Sequence, residues 1–288
     1  MLKCAPLSKN SRQIMQILKN IDELKAWRNA LNANSLGFVP TMGALHDGHA
    51  SLIKQAVNEN DAVIASVFVN PTQFLANEDY NEYPRKQNDD IALVKGCGAS
   101  AIFLPDASEF YMGDDTLISA PKELASVLEG QIRPGHFDGV CRVLNKFFNL
   151  IKPKRAYFGK KDAQQLLIVQ KMVKDFFMDI EIKPCDIVRE ADGLAISSRN
   201  AYLNDGELLD ALKLSRALKK AKSMIDEGKL ASSDIKNAIK EILEPLEIDY
   251  IAITDKNLSL LDNVELGNTL ILLAVRVGKT RLIDNLWL

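Results

Sequence analysis

The strongest constraint on the fold of this chain is a strand, a glycine-containing turn, a helix and a second strand in immediate succession. The apolar run SLGFVPT (35–41) leads into the turn MGALHDGH, and the segment HASLIKQAVNEN then carries apolar residues at helical spacing. The β-branched run DAVIASVFVN (61–70) follows. This order is typical of a βαβ unit, in which one helix connects two parallel strands.

The same alternation continues along the chain. A helix is predicted to begin at Pro84 and to end near Gly96 and Gly98, before the apolar strand ASAIFLP (99–105). Further helices are predicted over PKELASVLEG (121–130), over 140–151 and after a capping Asp162, and AYFG (156–159) reads as a strand. The last helix is expected to bury Leu166, Leu167, Val169, Val173 and Phe176. The pattern predicts an α/β fold with a doubly wound parallel sheet.

The pattern changes near Lys183. A strand-like run, IEIKPCDIVRE, leads to two lysine-rich helical segments at about 206–227 and 233–244, and then to the strands IDYIAI, TLILLAV and TRLIDNLWL. The leucine and alanine spacing of these helices indicates that their lysines face solvent. A chain of 288 residues has room for two domains. We therefore predict a catalytic domain over residues 1–180 and a smaller α+β domain over residues 181–288 that closes over the site.

Charge and cysteine content limit the partners and the compartment. The 36 Lys and Arg residues against 38 Asp and Glu residues give a net charge of −2, so neither nucleic acid nor an anionic membrane is expected as a partner. No apolar run reaches the ~18 residues of a membrane span, and no apolar signal core follows Lys3. Cys4, Cys97, Cys141 and Cys185 form no CxxC pair, which indicates reduced thiols. We expect a cytoplasmic protein.

The chain has only three histidines, and two of them, His46 and His49, lie in the segment HDGH. Their spacing brings both imidazoles to one side of a helix N-terminus. Unpaired N–H groups and the helix dipole favour phosphate there, and Gly43 and Gly48 permit close backbone approach. The segment thus indicates displacement at phosphorus, with imidazole N–H groups donating to phosphate oxygens.

Two other interpretations of HDGH stay open. A histidine pair can ligate a metal, but the glutamate of HExxH is missing and no cluster of cysteines or histidines supplies further ligands nearby. A surface turn that happens to contain two histidines is the second alternative, because short motifs occur by chance.

Three further polar clusters have catalytic potential. In YFGKKDAQQL (157–166), Lys160 and Lys161 follow a strand, at the edge of a parallel sheet where ligands bind; a solvated loop is the alternative. In NPTQF, Gln73 lies at the same edge and offers donors and an acceptor to a hydroxy acid; simple turn chemistry is the alternative. In ISSRN (196–200), two hydroxyls and a guanidinium are suited to holding phosphate oxygens.

In this order, PTMGALHDGH, FVNPTQF, LEGQIRPGHFDGV, YFGKKDAQQL and LAISSRN resemble the pantothenate synthetase (pantoate-β-alanine ligase) family, from about Gly37 to Asn200. Each motif alone is weak, but five in register are specific. The family belongs to the HxGH nucleotidyltransferases, whose Rossmann-like fold is similar to the catalytic domain of class I tRNA synthetases. ISSR stands where those synthetases carry KMSKS. The resemblance also implies a homodimer.

The resemblance implies an AMP-forming ligase of pantothenate and coenzyme A biosynthesis. The carboxylate of pantoate attacks the α-phosphorus of Mg-ATP, which releases pyrophosphate and leaves pantoyl adenylate. The amine of β-alanine then attacks this mixed anhydride and gives pantothenate and AMP. The ligands of Mg²⁺ are left unassigned, because ATP phosphates and waters satisfy most of its octahedron.

The resemblance also implies roles for individual residues. His49, His46 and Lys161 are expected to act in catalysis, and Gln73 and Gln165 to bind pantoate or β-alanine. Residues expected to bind ATP are Met42, Gly43, His46, Gly48, His49, Gly159, Lys160, Lys161, Asp162, Val188, Ile196, Ser197, Ser198 and Arg199. Ile196 and Thr72 stand where the family often has Met or Leu. His136, in RPGHFDG, is expected at most to order its loop.

Three alternative functions remain. Another HxGH adenylyl- or cytidylyltransferase would keep the nucleotide on its product, but NPTQF and the double Gln of KKDAQQ favour the ligase. A regulatory module without catalysis would be expected to lose a histidine or Lys161, and all are present. A tRNA synthetase fragment is disfavoured because the chain has no basic surplus.

Overall fold

A computed structural model describes residues 14–76 and 78–288. The N-terminal segment with Lys3 and Cys4 lies outside the described residues. Six strands form one parallel sheet in the order β1-β4-β3-β2-β5-β6: β1 (Gln16–Leu18), β2 (Leu36–Thr41), β3 (Ala62–Val67), β4 (Ala101–Phe103), β5 (Arg155–Gly159) and β6 (Glu181–Cys185).

Helices cover both faces of this sheet. They are α1 (Ile21–Ala30), α2 (Asp47–Glu59), α3 (Gln87–Gly96), α4 (Ala107–Phe110), α5 (Lys122–Ala125), α6 (Glu129–Ile132), α7 (His136–Ile151) and α8 (Ala163–Asp175). Because side chains alternate along a strand, Phe38 of β2 packs with Leu24 and Phe147 on one face, while its neighbour Val39 packs with Ile53 on the other. The doubly wound parallel sheet is confirmed.

The C-terminal part is a three-stranded antiparallel sheet with two helices. Its elements are α9 (Asp205–Asp226), α10 (Ser232–Leu243), β7 (Glu247–Thr254), β8 (Leu270–Val277) and β9 (Thr280–Trp287). Leu273 packs toward α9 and α10, whereas the adjacent Leu272 joins the core of the large sheet. The small sheet therefore lies between its own helices and the larger unit, which confirms the smaller α+β part of the fold.

The large sheet extends beyond residue 180. β6 pairs in parallel with β5, from Arg155 opposite Glu181 to Gly159 opposite Cys185. Because of this pairing, residues 181–185 belong to the same sheet as the strands of the first 180 residues. None of the described helices is long and apolar enough to cross a membrane, and the three described cysteines form no disulfide.

The helix predicted to start at Pro84 begins three residues later, at Gln87. The guanidinium of Arg85 donates to the carbonyl oxygens of Tyr80 and Tyr83, at 3.0 and 3.1 Å. These bonds fold the segment before the helix into a turn, so the prediction that Pro84 opens the helix is wrong.

The single helix predicted over 121–130 is split into α5 and α6. Leu128 between them has φ +49°, which no α-helix contains. The side chain of Gln164 donates to the carbonyls of Leu124 and Val127, at 2.7 and 2.8 Å, and accepts from the N–H of Glu129 at 3.0 Å. This buried glutamine thus bonds backbone groups at the interruption.

Helices α7 and α8 also differ in detail from the prediction. α7 begins at His136 and not at residue 140, so His136 is helical. Asp162 directly precedes α8 as predicted, but its side chain forms no capping hydrogen bond. Phe176 follows the end of α8 and is 53% exposed, so its prediction as a buried residue is wrong.

Candidate active site

The candidate site lies at the carboxyl ends of β2 and β5. From this adjacent pair the chain builds the sheet outward in opposite directions, β2 toward β3 and β5 toward β6. Ligands of such sheets bind at this switch point. A cavity of about 240 Å³ opens there, and the predicted residues lining it are Met42, His46, Gly48, His49, Gln73, Gly159, Lys161, Asp162, Gln165, Val188, Ile196, Ser197, Ser198 and Arg199. Gly43 and Lys160 do not line it.

The rings of the two histidines contact each other at the N-terminus of α2. His46 is the N-cap residue, and its ring centroid lies 4.1 Å from that of His49. The N–H of His46 donates to Nδ1 of His49 at 3.4 Å, so Nδ1 is the acceptor and the His49 proton resides on Nε2. A Cβ on Gly48 would lie 2.9 Å from Cε1 of His46, which explains the glycine.

Both imidazoles are uncharged near neutral pH. Burial, reinforced by the neighbouring His46 and by Lys161, lowers the pKa of His49 to about 3. Burial and Lys161 likewise lower the pKa of His46 to about 4. The histidines can therefore act as neutral hydrogen-bond donors, while positive charge comes from Lys161, which lines the same cavity.

The adjacent lysines point to different places. Nζ of Lys160 pairs at 2.6 Å with Asp186, a residue of the cavity lining, whereas Lys161 lines the cavity itself. The short 3₁₀ helix Lys160–Asp162 is held from the small sheet, because Nδ2 of Asn285 donates to the carbonyls of Lys160 and Lys161 at 2.9 and 2.7 Å. Sequence reasoning did not identify Asn285, since it lies in the last strand, far from any motif.

The turn NPTQF presents Gln73 from a short 3₁₀ helix, Pro71–Gln73. Nδ2 of Asn70 donates to Oε1 of Gln73 at 3.0 Å and to the carbonyl of Gly139 at 3.1 Å. The backbone carbonyl of Gln73 is 2.7 Å from Nδ1 of His136. Because Arg133 can only donate, its 3.1 Å bond to Nε2 of His136 makes Nδ1 the protonated donor. His136 thus orders the NPTQF turn.

The ISSRN segment closes the opposite side of the cavity. Ser197 caps the 3₁₀ helix Ser198–Tyr202, and the hydroxyls of Ser198 and Tyr83 are 3.4 Å apart. The guanidinium of Arg199 pairs with the carboxylate of Asp79, with Nη2 3.1 Å from Oδ1. Any phosphate that Arg199 grips must therefore compete with this carboxylate.

A larger cavity of about 900 Å³ adjoins the first, between the sheet edge and the small sheet. Lys161, Asp162, Gln165, Ser197 and Arg199 line both cavities. The two adjoining cavities together offer more space than the 240 Å³ cavity alone. Within residues 14–76 and 78–288, no group of three or more His, Cys, Asp or Glu side chains could hold a metal ion.

Comparisons with known proteins agree with this architecture. The family model for pantoate-β-alanine ligase matches residues 16–287. The pantothenate synthetase of Campylobacter fetus is 61% identical over 274 residues, covering 95% of this chain and all of that protein. The pantothenate synthetase of Helicobacter pylori strain 26695 is 52% identical over 276 residues, again covering 95% and 100%.

Solved structures show the same relationship. The crystal structure of pantothenate synthetase from Thermus thermophilus superposes with a TM-score of 0.90 at 42% identity, covering 94% of this chain and 99% of that one. A ligase from Francisella tularensis, crystallised with β-γ ATP and β-alanine, gives 0.80 at 38% identity over 95% and 97% of the two chains. The chain belongs to the pantoate-β-alanine ligase family.

Proposed function

We propose that the chain condenses pantoate with β-alanine at the expense of ATP, through a pantoyl adenylate, and releases AMP and pyrophosphate. The main support is that one cavity, in a chain of this family, brings together His46, His49, Lys161, Gln73 and Gln165. The Francisella relative was crystallised with β-γ ATP and β-alanine, which supports the same ligands here.

In the first step, a carboxylate oxygen of pantoate attacks the α-phosphorus of ATP and pyrophosphate leaves. Nε2–H of His49 and the ring of His46 donate to phosphate oxygens, and the ammonium of Lys161 stabilises the negative charge that builds up on them. Neutral imidazoles suit this role because each can donate an N–H to a phosphate oxygen without adding a further positive charge to the site. Gln73 and Gln165 orient the hydroxyl and carboxylate groups of pantoate.

In the second step, the amine nitrogen of β-alanine attacks the acyl carbon of the adenylate. The bond to the AMP oxygen breaks, an amide forms and the amine loses its protons to solvent. Water must be kept from the mixed anhydride until then, since it would hydrolyse it. Arg199 and the NPTQF turn stand on two sides of the cavity and serve as its closing elements.

The remaining nucleotide contacts are assigned by position. Gly159 and Asp162 hold the nucleotide, Asp162 through the ribose hydroxyls, and the backbone of Val188 contacts adenine. The rest of the ATP surface is formed by Met42, Gly48, Ile196, Ser197 and Ser198. Lys160 pairs with Asp186 and acts at most through its backbone, and Gly43 shapes the loop without lining the cavity. Mg²⁺ enters as part of the substrate Mg-ATP.

We also propose a domain organisation, an oligomeric state and a cellular location for this chain. The catalytic domain comprises about the first 180 residues together with β6, and the smaller domain closes over the site through β9, which already holds the carbonyls of the two lysines. We also propose that the chain forms a homodimer, as its resemblance to the family implies. Free cysteines are consistent with a cytoplasmic location.

One reaction mixture tests the function. The purified chain, given Mg-ATP, pantoate and β-alanine, is expected to form AMP, pyrophosphate and an acid with the mass of pantothenate in equal amounts. Omission of β-alanine should abolish the amide. A product that retains the nucleotide would instead indicate an HxGH adenylyltransferase, and no turnover of ATP would indicate a regulatory module.

A further inference from the structure

Asp90, in the first turn of α3, carries a buried carboxylate that faces the loop between β2 and α2. Only 1% of the residue is exposed. Its Oδ2 accepts from the N–H of Ala44 at 3.1 Å, and its Oδ1 accepts from the N–H of Leu45 at 2.7 Å. Asp90 does not line the catalytic cavity, so it reaches the chemistry only through this loop.

The loop that Asp90 holds has an unfavourable backbone conformation. Gly43 has φ +94°, and Ala44 has φ +50° although it is not a glycine. Such a residue persists only where its surroundings fix it. A Cβ on Gly43 would lie 3.1 Å from Oδ2 of Asp90 and 3.0 Å from Val67, so the loop packs closely on this carboxylate. The two hydrogen bonds and this packing determine the path of the chain.

The next N–H along the loop connects this arrangement to catalysis. Ala44 and Leu45 donate to Asp90, and the following N–H, that of His46, donates to Nδ1 of His49 at 3.4 Å. This last bond keeps Nδ1 unprotonated and leaves the proton on Nε2. Any rotation of the loop would move the His46 N–H and remove the preference for that tautomer.

We propose that Asp90 is a positioning residue which, by holding the loop, fixes the tautomer and orientation of His49 for the transfer of the nucleotidyl group. The proposal rests on the proposed function, because it gives His49 the task of donating from Nε2 to a phosphate oxygen. Burial raises the pKa of the Asp90 carboxyl above its ordinary value, and the two N–H donors act against that rise. A buried carboxylate with this cost needs hydrogen-bond donors, and the N–H groups of Ala44 and Leu45 supply them.

The test compares Asp90→Asn with Asp89→Asn. Asparagine keeps the shape but offers one acceptor oxygen, and its NH₂ group must face one of the two N–H donors. Asp89 is the adjacent, exposed carboxylate and serves as the matched control. With histidine labelled with ¹⁵N, the ring signals of the three histidines report which nitrogen carries the proton, and single substitutions assign them.

The wild-type chain and Asp89→Asn are expected to show His49 as the Nε2–H tautomer. Asp90→Asn is expected to show a mixture, together with a pantoate-dependent pyrophosphate exchange roughly ten- to a hundredfold slower and a KM for ATP within about threefold of wild type. A purely structural role would lower the melting temperature and leave the tautomer unchanged.

Three results would overturn the proposal: a wild-type His49 protonated on Nδ1, an Asp90→Asn variant with unchanged exchange, or a slowed variant whose His49 stays entirely in the Nε2–H form. The tautomer of His49 in the wild-type chain is measured without any variant, so this result can overturn the proposal even if Asp90→Asn does not fold. The tautomer is read without substrates. Failure of the proposed function would appear separately, as a wild-type chain with the expected tautomer that makes no pantothenate.

Discussion

Lys161→Ala is expected to lower kcat for adenylate formation by roughly a hundredfold or more, whereas Lys160→Ala should change it by about threefold or less. Lys161 lines the cavity beside both histidines, and in the proposed mechanism its charge stabilises the negative charge that develops on the phosphate. Nζ of Lys160 is engaged by Asp186 at 2.6 Å. The two variants remove the same side chain from neighbouring positions, so they form a matched pair.

The first measurement is the rate at which pantoyl adenylate forms in a single turnover at saturating ATP. The second is the steady-state kcat and the KM for ATP. A decrease confined to kcat would show that Lys161 acts in the transition state. A rise in the KM for ATP with kcat unchanged would instead show that Lys161 binds the substrate and the transition state equally well. If Lys160→Ala proved the more damaging variant, the assignment of Lys161 to the cavity would be wrong.

Gly139→Ala is expected to disrupt the pantoate side of the site from the opposite face of the NPTQF turn. A Cβ at Gly139 would overlap the carbonyl of Thr72 and lie 2.7 Å from the backbone nitrogen of Gln73. Since both are backbone atoms, the turn must shift. We expect a loss of about 1–3 kcal/mol in the free energy of unfolding and a KM for pantoate raised roughly tenfold or more.

Gly96→Ala is the control, because a Cβ there would meet nothing within 4 Å. Urea unfolding of that variant should differ from wild type by less than about 1 kcal/mol. A Gly139→Ala variant with unaltered stability and pantoate KM would mean that α7 can move away from the turn, and that Gln73 does not depend on this contact.

Local patterns were sufficient to predict the elements that carry the chemistry. The strand–turn–helix signals around HDGH and YFGKKD gave β2, α2, β5 and α8 nearly to the residue, because apolar periodicity and caps are short-range properties. Parallel strands bring their carboxyl ends together, so these segments could be expected to meet at one edge. The cavity that joins them is the structural result of that topology.

The contacts that the sequence could not predict are hydrogen bonds and ion pairs between residues far apart in the chain. Asn285 reaches Lys160 and Lys161 across more than a hundred residues, and Gln164 bonds backbone groups where a continuous helix was predicted. Arg199 pairs with Asp79, although ISSRN alone suggested a free guanidinium. Each interaction depends on how separate elements dock, and no local spacing encodes it.

In the proposed mechanism, the carboxylate of pantoate is activated before the amine of β-alanine arrives. With labelled pyrophosphate, Mg-ATP and pantoate, and with β-alanine absent, the chain is expected to exchange label into ATP, and no exchange should occur without pantoate. Exchange that required β-alanine would point to a concerted reaction of three substrates and would contradict the adenylate mechanism.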